Sequence, residues 1–373
     1  MSSTPAVQID HIVILLPYPQ LVSPPSWLTT NFTISPGGVH SDGCTENKLI
    51  LFQDGTYIEL IAFINDDPAR KEGHRWGKKQ FGLIDFALTT PPNSEGGDTA
   101  AAHYSAVAQR LSGTGSPAAA LGIRYLEPIA GGRKNPGGTE LQWKVTFPTH
   151  ETQVPQGTYA SSVTGAVPFL CHDVTPRTLR VNINNVQATT HPSAVKGIAQ
   201  FSIIVPPEKL ESYIDLYSLI LDTKPLRLFG TARFQLTAPI QIPGLVKPWV
   251  FIEAPDLDPE KARLAKRGVE VVELALRVGA PGGGVGMVRD SVRVEGIWIH
   301  FLKWFSSKYV ISRTCGAQVL GLSLSFPCFK LSSFMAYGTG SDSHFCAYIT
   351  FCLSDILYLY VKDCITLLAS ANK

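Results

Sequence analysis

Cysteine is nearly missing from most of this 373-residue chain: only Cys44 and Cys171 precede Cys315. Two thiols so far apart do not make a disulfide framework. Charge is scarce too, with Asp, Glu, Lys and Arg at 17% against a usual share of about 25%. The 32 basic and 30 acidic residues nearly cancel, and no Lys/Arg cluster marks a groove-reading element, so no nucleic-acid partner is expected. No basic segment precedes the first apolar run, which itself carries Asp10 and His11. A secretory signal is therefore not expected, and a cytoplasmic location is. Also missing are a Gly-x-Ser-x-Gly nucleophile elbow, a paired Cys-x-x-Cys zinc spacing and the Gly-Lys-Ser/Thr order of a phosphate loop. The glycine-rich stretches at Gly131-Gly132-Arg133-Lys134 and at 282–286 accordingly read as turns or linkers.

What is present is enough apolar residue, 45%, and enough length for more than one core, since a domain holds roughly 100–200 residues. Residues 9–16 form a short β-branched run closed by Pro17, which reads as a buried strand. Residues 47–53 and 56–64 flank Asp54-Gly55, a pair that supplies positive φ angles and predicts an antiparallel hairpin. A short helix is expected near Trp27. A second unit opens with a strand at 81–89 and a helix at about 99–111, with Asp98 as N-cap, Gly113 as stop and Tyr104, Val107, Ala108 and Leu111 as the buried stripe. Strands follow at 125–129, 140–147 and 167–171.

A third unit comprises a strand at 197–205 and a helix after Pro207 with Leu210, Tyr213, Ile214, Tyr217 and Leu221 on one face. Strands at 232–236 and 248–252, a short helix stopped by Gly268, and a strand at 269–278 complete it. Residues 198–206 echo residues 9–17, with Gln200 where His11 stands. The expected fold is α+β: two βαβββ modules over 1–190 and a third, degenerate module over 195–303. Residues 304–373 carry five cysteines, one proline and no glutamate. With no sustained periodicity, they are expected to lie outside the fold, as read-through or a faulty gene model would produce. The apolar stretch 345–361 falls short of the about 20 residues of a spanning helix and contains Asp355, so no membrane association is expected.

The chemistry-bearing residues fall in a fixed order. They are Asp10-His11-Ile12-Val13-Ile14, Pro36-Gly37-Gly38-Val39-His40, Thr45-Glu46-Asn47 and Asp54-Gly55-Thr56-Tyr57-Ile58-Glu59-Leu60, followed later by Pro168-Phe169-Leu170-Cys171-His172. Glu59 lies inside an apolar strand, where a bare carboxylate is costly unless paired, protonated or bound to a metal. His11 is a hydrogen-bonded core histidine or a ligand. His40 sits in a Gly-Gly turn, where it touches substrate or is solvated, and Asn47 orients backbone or contacts substrate. Cys44 is a reactive thiol or a small buried filler.

As a set, these segments resemble the glyoxalase-like domain family, within the vicinal oxygen chelate superfamily that includes glyoxalase I, extradiol dioxygenases and bleomycin-resistance proteins. The resemblance implies paired βαβββ modules curled around a cleft, with metal ligands on the first and last strands of each. Carried over, it makes His11 and Glu59 ligand candidates in the first module. In the second, Phe86 falls at a ligand position, and His172 stands where the family usually has Glu. Two histidines and a carboxylate suit a divalent ion whose identity the sequence does not specify. The implied activity is that of a metal-dependent lyase, isomerase or dioxygenase on a small oxygen-chelating substrate, with His40 and Asn47 as substrate contacts and Glu59 as ligand or proton-shuttling base. The alternative is a metal-free binding module of the bleomycin-resistance kind. Gln200 leaves the third module without a metal. The oligomeric state has no sequence signal.

Overall fold

The apolar run near the N-terminus forms strand β1 (Gln8–Leu15), followed by β2 (Ser35–Val39), β3 (Thr45–Leu51) and β4 (Tyr57–Phe63). The structure, a computed structural model, describes residues 7–92, 99–113, 115–135, 137–150, 163–228, 231–243, 245–279, 284–294, 296–306, 319–326, 329–336 and 348–352. The expected hairpin forms at Asp54-Gly55: Gly55 takes φ +78°, and the Asp54 carboxylate accepts hydrogen bonds from the Thr56 N–H and hydroxyl. β4 runs parallel to β1, placing Tyr57 beside His11 and Glu59 beside Val13.

The second module contains β5 (Gly82–Thr89), the helix Thr99–Leu111, β6 (Ile123–Tyr125), β7 (Ile129–Lys134), β8 (Glu140–Thr146), β9 (Pro148–His150) and β10 (Phe169–Asp173). Two expectations are corrected. The strand expected at 125–129 is a break between β6 and β7, and Gly131-Gly132-Arg133-Lys134 is β7 itself, paired along its length with β8. The helix has the expected span, but Ala100, His103 and Val107 are its buried residues while Tyr104 and Leu111 are only partly covered. Its expected cap, Asp98, lies outside the described residues.

Eight strands form one sheet in the order β2-β3-β4-β1-β5-β10-β8-β7. Each module contributes a half in which first and last strands are parallel, and the halves join through antiparallel β1 and β5. The two edge strands meet: His40 forms a bridge with Arg133, and the Ser41 N–H donates to the Gly132 carbonyl at 3.0 Å. The sheet thereby curls around a cleft. Alternation along each strand then sorts side chains by parity. Val13, Leu15, Ile61, Val145, Phe169 and Cys171 face inward, while Ile12, Ile14, Ile58, Leu60 and Leu170 join the large core outside.

The outer core is shared with a second sheet. Its elements are β11 (Val195–Ile204), the helix Leu210–Leu221, β12 (Leu226–Leu228), β13 (Thr231–Gln235), β14 (Trp249–Glu253), the helix Asp258–Arg267, β15 (Glu270–Val278), β16 (Gly284–Val294) and β17 (Ile297–Ser306). The order is β12-β13-β14-β11-β15-β17-β16. Residues from Gly284 onward, expected as linker, open β16. Gln200 pairs with Trp249 on one side and Ala275 on the other, as His11 pairs with Tyr57 and Ala87, so the repeat extends to register. The fold is α+β, with two paired βαβββ modules and a third related module.

Both sheets belong chiefly to one compact unit, Met1–Ile242, Val246–Val278 and Asp290–Phe301. A second unit, Pro243–Leu245, Gly279–Arg289 and Leu302–Lys373, holds the antiparallel sheet β18 (Val319–Phe326), β19 (Phe329–Ala336) and β20 (Tyr348–Cys352). Most of the apolar stretch 345–361 lies outside the described residues, among which no helix is long and apolar enough to cross a membrane.

Candidate functional site

Inside the curled sheet is a cleft of about 210 Å³ whose lining includes His11, His40, Asn47, Tyr57, Glu59, Arg133 and Trp143. Parity delivers the central pair: His11 shares a face with Val13 and Leu15, and Glu59 with Tyr57 and Ile61, as strand geometry predicts. Both are nearly enclosed, at 2% and 6% exposure.

His11 is fixed from behind. Its Nδ1 lies 2.7 Å from Asp10 Oδ2, and its ring stacks on Tyr57 with centroids 4.5 Å apart. Burial pushes the Asp10 carboxyl up, but the guanidinium groups of Arg177 and Arg180 overcome this and hold it well below the usual carboxylate range. Arg177 donates to Asp10 at 2.5 Å, and Arg180 donates to Asp10 at 2.9 Å, to Asp173 at 2.7 Å and to the Tyr57 hydroxyl at 2.5 Å. An ionised Asp10 can only accept, so His11 keeps a hydrogen on Nδ1 and its neutral form is the Nδ1–H tautomer. Nε2 then carries a bare lone pair. It is buried, has no hydrogen-bond partner, and lies 3.6 Å from Glu59 Oε2.

Glu59 is held from the side. The Gly38 N–H donates to Asn47 Oδ1 at 3.0 Å, which turns the Asn47 amide nitrogen toward Glu59 Oε1, 2.6 Å away. His40 Nε2 lies 3.5 Å from the same oxygen, and His40 Nδ1 is 2.7 Å from Thr45 Oγ1. Burial raises the Glu59 pKa, but hydrogen bonds from His40 and Asn47, with the positive charge of His40 and His11 in their protonated forms, bring it from an ordinary 4.5 down to about 2. The Gly-Gly segment is not a turn, as expected, but strand β2 with an irregularity between Pro36 and Gly38. A Cβ at Gly37 would overlap Asn47, so the glycine is what lets the Glu59 clamp pack.

The remaining sequence candidates go elsewhere. On β10, Phe169 and Cys171 face the cleft, so His172 points to the opposite face, where its Nε2 lies 3.1 Å from His103 Nδ1. It is not brought together with His11 and Glu59. Phe86 also points outward and packs on Phe201 with centroids 4.8 Å apart. The inward positions of the second module are Ala87, Phe169 and Cys171, and burial pushes the Cys171 thiol up so that it stays protonated. Cys44 is half-buried beside Asp42.

His11 and Glu59, with His40 3.5 Å from Glu59, thus lack the second-module ligands that a paired-module metal site needs. Among the described residues, no group of three or more His, Cys, Asp or Glu side chains is disposed to hold an ion. The residues present do not fit the implied multi-ligand centre. Sequence reasoning missed Arg133, Arg177 and Arg180. The one local hint was the acidic neighbour of His11, since a buried Asp demands a cation.

A glyoxalase-like domain family model matches residues 9–217, more than half of the chain. No curated protein is similar enough to count as a match. Among solved structures, a hypothetical protein from Staphylococcus aureus is similar at 13% identity and a TM-score of 0.51, over 80% of this chain and 99% of that one. A xylose isomerase-like TIM barrel/4-hydroxyphenylpyruvate dioxygenase fusion protein is similar at 12% identity and a TM-score of 0.38, over 83% and 52%. A mutant 4-hydroxymandelate synthase from Streptomyces coelicolor follows at 10% and 0.39, over 82% and 94%. With its paired βαβββ modules, the chain belongs to the glyoxalase-like domain family.

Proposed function

We propose that the cleft binds a small oxygen-bearing molecule and that His11, working with Glu59, moves a proton on it, as a lyase or isomerase does. The observation that carries this reading is the bare, partnerless Nε2 of His11, aimed into the cleft 3.6 Å from Glu59 while Asp10 fixes the other nitrogen. A base oriented by a buried carboxylate, with its free nitrogen facing a cavity, is the arrangement general-base catalysis requires. On taking a proton from carbon, His11 becomes an imidazolium flanked by two carboxylates, Asp10 and Glu59, and both stabilise that charge. Returning the proton to another atom of the substrate completes an isomerisation.

Electrostatics favours a proton over a divalent ion between His11 and Glu59. The cations Arg177 and Arg180 already offset Asp10 and Asp173, and a further double positive charge in so enclosed a place has only Glu59 to answer it. The cavity lies below the about 300–1,000 Å³ of drug-sized pockets, so the occupant is small.

The test is carbon-bound hydrogen exchange in D2O, followed by NMR, on hydroxyacetone, lactate and pyruvate. Wild-type protein should incorporate deuterium into at least one of them, with or without a chelator, and His11→Ala should not. Exchange that stops with chelator and returns with a divalent ion would replace this reading by the metal-dependent one. Absence of exchange on all three would leave the binding-module reading in its place.

A further inference from the structure

Three guanidinium groups line the cleft, and they are not equivalent. Arg180 is engaged by Asp10, Asp173 and Tyr57. Arg75 lies over aromatic rings, 3.8 Å from the Trp76 centroid and 3.7 Å from that of Phe147. Arg133 has neither kind of support. It is 5% exposed, its Nη1 is buried with no hydrogen-bond partner, no ion pair to it within 4 Å occurs among the described residues, and the more distant charge of Glu59 does not offset its burial.

Its setting is built rather than incidental. Arg133 sits on β7 at the seam, bridged to His40 of the first module. Gly131, two residues earlier on the same face, leaves room because a Cβ there would overlap the indole of Trp143. The carboxylate of Glu59 is already committed to Asn47 and the two histidines. A buried guanidinium without an anion is costly, and its planar fork matches a carboxylate through two parallel hydrogen bonds.

We infer that Arg133 is the anchor for a carboxylate on the ligand, so that the cleft selects small carboxylic acids over neutral molecules of the same shape. The second module thereby supplies recognition, while the first supplies His11 and Glu59. This rests on the reading of the cleft as a small-molecule site and names the class of molecule it takes. A neutral ligand would bury the guanidinium further and leave it unpaired, which is a penalty built against the wrong occupant.

Binding, rather than turnover, tests it. Acetate, lactate and benzoate are titrated against acetamide, lactamide and benzamide by calorimetry on the full chain. At least one acid should bind tenfold or more tighter than its amide. Arg133→Gln should erase that difference, and Arg133→Lys should keep part of it. Ligand-free Arg133→Gln should melt at or above the wild-type temperature, because the change removes an unpaired buried charge. Equal affinity for acid and amide, an undiminished preference in Arg133→Gln, or no binding of any acid overturns the inference. Because exchange reads proton transfer and calorimetry reads the anchor, preference without exchange sinks only the catalytic reading, and exchange without preference sinks only this one.

Discussion

The two sheets share the order of their first four strands and the register beside β1 and β11, yet only one of them carries the ingredients of a site. Where the first has His11 beside Tyr57 and Glu59 beside Val13, the second has Gln200 beside Trp249 and Phe251 beside Ser202. Asp10 of the first corresponds to Ala199 of the second, which needs no cation, and buried arginines there, Arg263 and Arg277, pair with Glu270 and Asp54 instead. The scaffold is thus indifferent to what its central strand pair displays. Chemistry depends on a handful of inward positions and on the charges that fix them.

The sharpest way to break this contrast is to remove the support behind His11. Arg180→Leu leaves Asp10 and Asp173 short of a partner inside the first sheet, and it should cost about 3–5 kcal/mol in urea unfolding. Next in size is the transfer of function: Glu59→Gln should lower deuterium exchange by about 100-fold or more, the range for a lost acid–base group. Gln200→His should create no exchange in the second sheet, because Phe251 stands where the carboxylate would be.

The same Glu59 variant has a pH signature. The folded-state pKa of Glu59 is depressed to about 2 from an ordinary 4.5, so its stabilisation is present above the ordinary value and is lost as pH falls through the folded one. Between pH 4.5 and about 2, Glu59→Gln should therefore lose stability less steeply than wild type in acid titrations followed by fluorescence. Asp54 and Asp85, whose pKa values burial raises, contribute with opposite sign in both proteins and cancel in the comparison. A smaller effect is expected at the seam. A Cβ on Gly38 would overlap the Lys134 carbonyl, so Gly38→Ala should destabilise by about 1–3 kcal/mol and loosen ligand binding. The smallest effect belongs to the tail. β17 continues to Ser306, so we propose truncation there rather than at Lys303, with no measurable change in melting temperature.

Much of the first module was legible because parity and spacing are local. A strand of known period placed His11 and Glu59 on their faces, and Asp54-Gly55 fixed the hairpin between β3 and β4. His172 misled for a reason equally local: the family position was right in sequence, but Cys171, one residue earlier, owns the inward face. Phe86 misled through the irregularities of the β1–β5 ladder, which hand the inward place to Ala87. Arg133 was hidden because two glycines before it imitate a turn, while in the sheet they are strand residues, Gly131 trimmed for Trp143 and Gly132 for the Leu141 carbonyl. Arg177 and Arg180 sit on a four-residue helix with no periodicity to read, and their partner lies at the other end of the domain.

That last separation sets an order of events. Asp10 and the arginine that neutralises it are 170 residues apart, among the longest closures in the protein. Chains are made from the N-terminus, and distant contacts pay their loop entropy before they are rewarded. The strands around the cleft can therefore associate while His11 still lacks a fixed tautomer. Only docking of the short helix Arg177–Arg180 gives the imidazole its orientation. On the proposed reading, the His11 arrangement is completed only after residues 177–180 have been made and docked. A nascent chain ending before Arg177 would hold all eight strands, with Asp10 still lacking the two cations that neutralise it.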